Sequence, residues 1–136
     1  MFRKFGMPFD HIYAYEMTPT EPESMVESIP EHIRPAYHWI NVAVNSSRFS
    51  INNPLNLIRN HYNKDDIIIV KLDIDNDRIE QEFVQQILQD AKNHTKQTRI
   101  DHFYFEHHLG QNHPRKKSIE LFTKLRKVGI GAHYWV

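Results

Sequence analysis

The chain has 136 residues, 17 basic and 17 acidic, ten histidines and no cysteine. A chain of this length buries roughly two thirds of its unfolded surface, which suffices for one hydrophobic core and not for two. Balanced charge excludes a large field that would draw the protein onto nucleic acid or an anionic membrane, and the lack of cysteine excludes a disulfide scaffold, thiolate metal sites and a cysteine nucleophile.

No apolar run approaches the ~18 residues of a membrane span, and the opening Met1-Phe-Arg-Lys-Phe lacks the apolar stretch of a signal peptide. The expectation is a soluble protein of the cytoplasm or another intracellular compartment, with no nucleic-acid or membrane partner.

In chain order, strand and helix patterns alternate. Residues 9–16 read as a strand, and Thr20-Glu-Pro-Glu23 as a helix start with a hydroxyl cap and a carboxylate three residues on. Residues 37–44 form the second strand. Asn53-Pro54 reads as a cap followed by proline in the first turn, opening a short helix through Leu55 and Ile58 that stops near Asn63. The third strand is 67–74. From Asp77, apolar residues at Ile79, Phe83, Val84, Ile87, Leu88 and Ala91 mark one face of an amphipathic helix. The fourth strand is 100–106. Arg115-Lys-Lys117 reads as a solvated helix start. Ile119, Phe122, Leu125 and Val128 stripe the last helix, Gly129 suits its left-handed cap, and 130–136 finishes as a strand. The alternation predicts one α/β domain over 1–136, a mostly parallel sheet with helices on both faces and the final strand at an edge beside the fourth. No internal repeat or linker interrupts it.

The candidate chemistry lies where apolar strands stop at acids or imidazoles, because open α/β sheets place ligands beyond the carboxyl ends of their strands. Asp73-Ile-Asp75 puts two carboxylates on one face of a strand about 7 Å apart, bridgeable by a divalent ion only if the strand ends or bends there. Asp75 or Asp77 also suits a simple helix cap. Asp73, set in an apolar run, needs a partner: Lys71, a metal or a ligand. The fourth strand ends in Glu106-His107-His108. With the third and fourth strands adjacent, Glu106 or His108 lies beside Asp75, and this oxygen and imidazole set (Asp75, Glu106, His108) suits Mg²⁺, Mn²⁺ or Fe²⁺. Alternatively His107 and His108 bond loop backbone and bind nothing. Glu16 closes the first strand, where a carboxylate can accept from both hydroxyls of a ribose or simply stand in solvent. Tyr37-His-Trp39 and Tyr134-Trp135 read as core and edge packing. Gly129-Ile-Gly131 follows a helix and precedes a strand, the reverse of a phosphate-cradling order, and is turn chemistry.

Together these segments, over 9–136, resemble the later part of an FkbM-type class I methyltransferase domain. In that family an acidic residue ends the second strand, Lys-x-Asp-x-Glu-Gly ends the fourth, and a Glu-x-His-like segment ends the fifth. Glu16 matches the first; Lys71, Asp73 and Asp75 match most of the second; Glu106 and His108 match the third; Asn41-Val-Ala-Val-Asn45 is similar to the family's third strand. The resemblance implies a Rossmann-like sheet and S-adenosylmethionine as cofactor. It implies Glu16 at the cofactor ribose, and Asp73, Asp75, Glu106 and His108 as the catalytic side facing a small-molecule methyl acceptor. Two departures stand out: Asn76 replaces the family's glycine, and nothing before Phe9 supplies the family's first strand and glycine-rich loop. That strand is central, between the second and fourth, so the sheet is expected to be incomplete at its N-terminal side. Either its flanking strands close on each other, or residues 2–7, a protein partner or a second copy in a homodimer fill the slot. The chain alone is therefore expected to be inactive or incomplete as a methyltransferase. The alternatives are a non-catalytic interaction module completed by a partner strand, and a metal-dependent nucleotide-sugar transferase using Asp73 and Asp75.

Overall fold

A computed structural model describes residues 8–93, 100–106 and 115–135. The protein is α/β, with parallel strands in two small sheets. The chain divides into two compact units, Met1–Asn45 and Ser46–Val136. Among the described residues no helix is long and apolar enough to cross a membrane.

In the first unit, β1 (Ile12–Tyr15) pairs in parallel with β2 (Tyr37–Ile40), joined through α1 (Pro22–Ser28) and a 3₁₀ helix, Glu31–Ala36. Both strands are shorter than 9–16 and 37–44. The ladder ends where Glu16 N–H donates to the Ile40 carbonyl. Beyond it, Val42 N–H bonds back to the same carbonyl, and the Asn41 amide reaches the Glu16 and Thr18 carbonyls. Asn41-Val-Ala-Val-Asn45 is therefore not strand, although its composition is strand-like. The first helix also starts later than Thr20 suggests: Pro22 takes the first turn, the cap position falls to Glu21 without a side-chain bond, and the Thr20 hydroxyl turns back to the Thr18 carbonyl. Every residue of β1 and β2 is half-buried, and Ile29 is the one fully buried apolar residue among those described in this unit.

The second unit holds the order β3-β4-β5, all parallel, from Ile69–Leu72, His102–Glu106 and Gly131–Trp135. The last strand lies at the edge beside the fourth, as the alternation implies. Between them come α2 (Pro54–His61), α3 (Asp77–Lys92) and α4 (Arg115–Lys127). Asn53 caps α2 by accepting from Leu55 N–H, with Pro54 in the first turn. Asn76, rather than Asp75 or Asp77, caps α3 by accepting from Ile79 N–H, and the buried Glu80 carboxylate reaches back to Ile74 N–H. Gly129 closes α4 at φ 87°, with Gly129 N–H to Arg126 and Ile130 N–H to Leu125, the paired bonds of a Schellman cap.

Val70, Phe103 and Ala132 form one row of the sheet, and Phe103 and Ala132 are buried together with Leu72, Phe83, Val84, Ile87, Leu125 and Ile130. Ile119 departs from its stripe and is exposed. A buried polar knot fastens the loop after residue 45. Asn53 donates to the Ser46 and Ser47 carbonyls and to Gln86, while Arg59 grips Asp90 through two nitrogens at 2.8 and 2.6 Å. At the other end of the strands Asp101 ties all three: its carboxylate accepts from Ile68 N–H, its N–H donates to Ile68, and its carbonyl accepts from Gly131 N–H.

Candidate functional site

Asp73 and Asp75 follow the carboxyl end of β3, and Glu106 ends β4 beside it. The β3–β4 ladder closes on the pair Leu72 and Phe105, so Asp73 and Glu106 follow at the same level on adjacent strands. Glu106 in turn pairs in register with Trp135. Glu106 thus sits level with Asp73, two residues before Asp75.

Asp73 lies just past β3 at an exposed position rather than within the apolar core, and its carboxylate is 2.7 Å from the Lys71 ammonium. Of the partners the sequence left open for Asp73, Lys71, a metal or a ligand, the structure shows Lys71. The same ammonium stands 4.6 Å over the Trp135 ring, and Tyr104 meets that ring edge-on at 6.2 Å. The indole therefore shares a cation with a carboxylate, an arrangement in which cation–π and ion-pair attraction reinforce each other at a partly wet surface. Trp135 is 42% exposed, and Tyr134 is exposed too, so neither is core packing.

Asp75 is exposed and adopts φ 51°, the left-handed region that Asp tolerates better than most residues. The glycine-like backbone of this turn thus falls on Asp75. Asn76, at φ −138°, needs no glycine and contributes a cap that glycine lacks.

In the first unit Glu16 stands at the carboxyl end of β1. Its carboxylate accepts from Thr18 N–H at 2.8 Å, and this bond holds the carboxyl below the usual carboxylate range. The group is a charged acceptor fixed by a tight local turn, suited to hydroxyl donors. His107 and His108 lie outside the described residues. Among those described, no group of three or more His, Asp or Glu side chains could hold a metal ion.

Sequence reading missed two imidazole pairs. His102 Nδ1 is 2.9 Å from His133 Nε2, and Tyr104 stacks on His133 at 4.7 Å. His11 Nδ1 is 3.0 Å from His38 Nε2, and Tyr13 stacks on His38 at 4.6 Å. The available signal was the repeated tripeptide, His11-Ile-Tyr13 and His102-Phe-Tyr104. Alternation along a strand puts its first and third side chains on one face. The His102–His133 pair is tuned. Burial first, then the His102 ring, then the Arg126 guanidinium push the His133 imidazole below its usual value. Gly131 completes it: a Cβ there would come 2.7 Å from His102 Nδ1, so only glycine lets the ring lie against β5.

Carboxylates at strand ends can accept protons or hydrogen bonds from a bound hydroxyl or amine, and the Trp135 indole, met edge-on by Tyr104, stands in register with Glu106 beside them. The chain matches no protein-family model, and comparisons with curated proteins and with solved structures return no match.

Proposed function

We propose that this chain is an S-adenosylmethionine-dependent methyltransferase-like domain of the FkbM type, with a Rossmann-like sheet that is incomplete in the chain alone. Support comes from the pairing within each unit: β1, which ends at Glu16, pairs in parallel with β2, just ahead of the 41–45 segment likened to the family's third strand, and β3 and β4, likened to its fourth and fifth, pair in parallel with each other. On this reading Glu16 holds the cofactor ribose. Asp73, Asp75, Glu106 and His108 face a small-molecule methyl acceptor, with a divalent ion as an optional ligand of the last three. The Asp-x-Asp sugar-transferase reading has less support, because Lys71 already neutralises Asp73.

Isothermal titration with S-adenosylmethionine tests the reading. Because cofactor affinity in such folds rests on backbone donors of the first strand's glycine loop, the purified chain should bind weakly or not at all. Micromolar binding abolished by Glu16→Ala would show that the pocket is complete without that loop.

A second reading, a non-catalytic module finished by a partner strand, is favoured by the half-buried β1–β2 pair, since two strands alone are marginal in water. Light scattering that finds only monomer, together with full cooperativity in unfolding, would count against it.

A further inference from the structure

The open imidazole pair of the first unit has the geometry of a chelate. His11 is exposed and His38 is half-buried; their rings lie 5.2 Å apart between centroids and tilt by 37°. Two imidazole nitrogens at 3.0 Å need something between them. In the metal-free protein it is a proton: one ring donates its bridging N–H and the other accepts. The other bridging species is a metal ion. Ligand nitrogens about 2.0–2.1 Å from a metal stand about 2.9 Å apart at a right angle and about 3.3 Å apart at the tetrahedral angle. The observed separation falls in that interval. Tyr13, the register partner of His38, stacks on its ring at an interplanar angle of 14° and so limits its rotation.

We propose that His11 and His38 form a two-nitrogen site for a late first-row divalent ion, Cu²⁺, Ni²⁺ or Zn²⁺, with water in the remaining positions. Imidazole is the ligand that suits these ions, and Cu²⁺ should bind most tightly of the three. On binding, the ring that donated the bridging hydrogen bond moves its proton to its outer nitrogen. Two neutral rings therefore take up the ion with no net proton release.

The His102–His133 pair has the same atoms in contact at 2.9 Å and the same stacked tyrosine, but it is a poor cation site. The Arg126 guanidinium acts on His133, so a metal there would meet a positive charge, and a Cβ at Gly131 would come 2.7 Å from the His102 nitrogen that faces its partner, which leaves little space for water ligands.

The test is a Cu²⁺ titration of the full chain at neutral pH, followed by electron paramagnetic resonance, with Zn²⁺ binding measured by calorimetry. One tight equivalent with two equatorial nitrogens is expected. His11→Gln or His38→Gln should weaken it by about tenfold or more, while His102→Gln and His133→Gln leave it unchanged. In the unmodified chain, one equivalent of Zn²⁺ should shift the ring resonances of His11 and His38 ahead of those of other histidines, a readout independent of any variant's folding. Binding no tighter than in the His11→Gln/His38→Gln double variant, loss of binding in His102→Gln, or first shifts at another histidine would overturn the proposal.

Discussion

β1–β2 and β4–β5 are both parallel pairs with a tyrosine matched in register to a histidine, Tyr13 to His38 and Tyr104 to His133. Their surroundings differ. Phe103 and Ala132 on β4 and β5 are 0% and 1% exposed, whereas every residue of β1 and β2 is half-buried. The same local pairing is thus embedded in a core in one unit and left on a thin ledge in the other. Strand pairing and cross-strand ring contacts define a geometry; they do not supply the burial that makes it stable. Where burial is missing, the strands ask for a further layer or strand.

The contrast can be broken most directly by removing the central side chain of each unit. Phe103→Ala should cost about 3–5 kcal/mol in denaturant unfolding, since a fully buried ring leaves a cavity. Ile29→Ala should cost about 2 kcal/mol or less, because the site is rimmed by half-exposed residues able to relax. Equal losses would mean that the two units share one cooperative core and that the distinction is false.

Asn53→Ala comes next in size. It removes a helix cap and three donated bonds, but the Ser46 carbonyl keeps Gln86, the Ser47 carbonyl keeps Ser50 N–H and Gln86 keeps Arg59, so the loss should be about 1–2 kcal/mol. Asn53→Asp keeps the cap acceptor but loses the amide donors, so it should lie between alanine and wild type. An alanine variant within experimental error of wild type would show that the knot is not what holds the loop.

The smallest effect is a pH slope. Because the folded His133 imidazole is held below its usual value, the unfolded chain binds more protons between that lowered value and about 6.5. This contribution is present in full above about pH 6.5 and fades as pH falls through the window. Thermal melts across pH 5 to 8 should show a slope in this range that flattens in His133→Gln and shrinks in Arg126→Gln, which removes one of its causes. An unchanged slope in both variants would assign the pH response to other groups.

Strand identity and the β3-β4-β5 order were legible from the sequence because β-branched runs between amphipathic helices leave few topologies, but the single sheet it implied is two among the described residues. Strand ends were not. Apolar composition extends through Val44, but a strand lasts only as long as its neighbour's backbone, and Asn41 turns away from β1 to bond the Glu16 and Thr18 carbonyls. Ile67 belongs to an apolar run yet stands 68% exposed ahead of β3. Among site residues, the pattern put Glu106 beside Asp75, whereas the register puts it level with Asp73, because β3 ends at Leu72 rather than running on to Ile74. The Lys71–Asp73 pair was legible, since residues two apart on a strand share a face. The imidazole pairs were hidden because each joins residues of two strands, His11 with His38 and His102 with His133, through a register that no linear pattern encodes. Where the resemblance expects a glycine, Asn76 is a cap, and the left-handed backbone falls one residue earlier, on Asp75.

The Asp101 tie has a consequence for folding fidelity. β3 has only four residues, and sliding it by two along β4 would keep every side chain on its own face, so sidedness alone resists such a slip weakly. Asp101 removes the ambiguity. By binding both the N–H and the carbonyl of Ile68 while its own carbonyl receives Gly131, one residue fixes the phase of three strands at once. Its loss should therefore blur the molecule as well as weaken it, populating shifted pairings that a single melting temperature would not reveal.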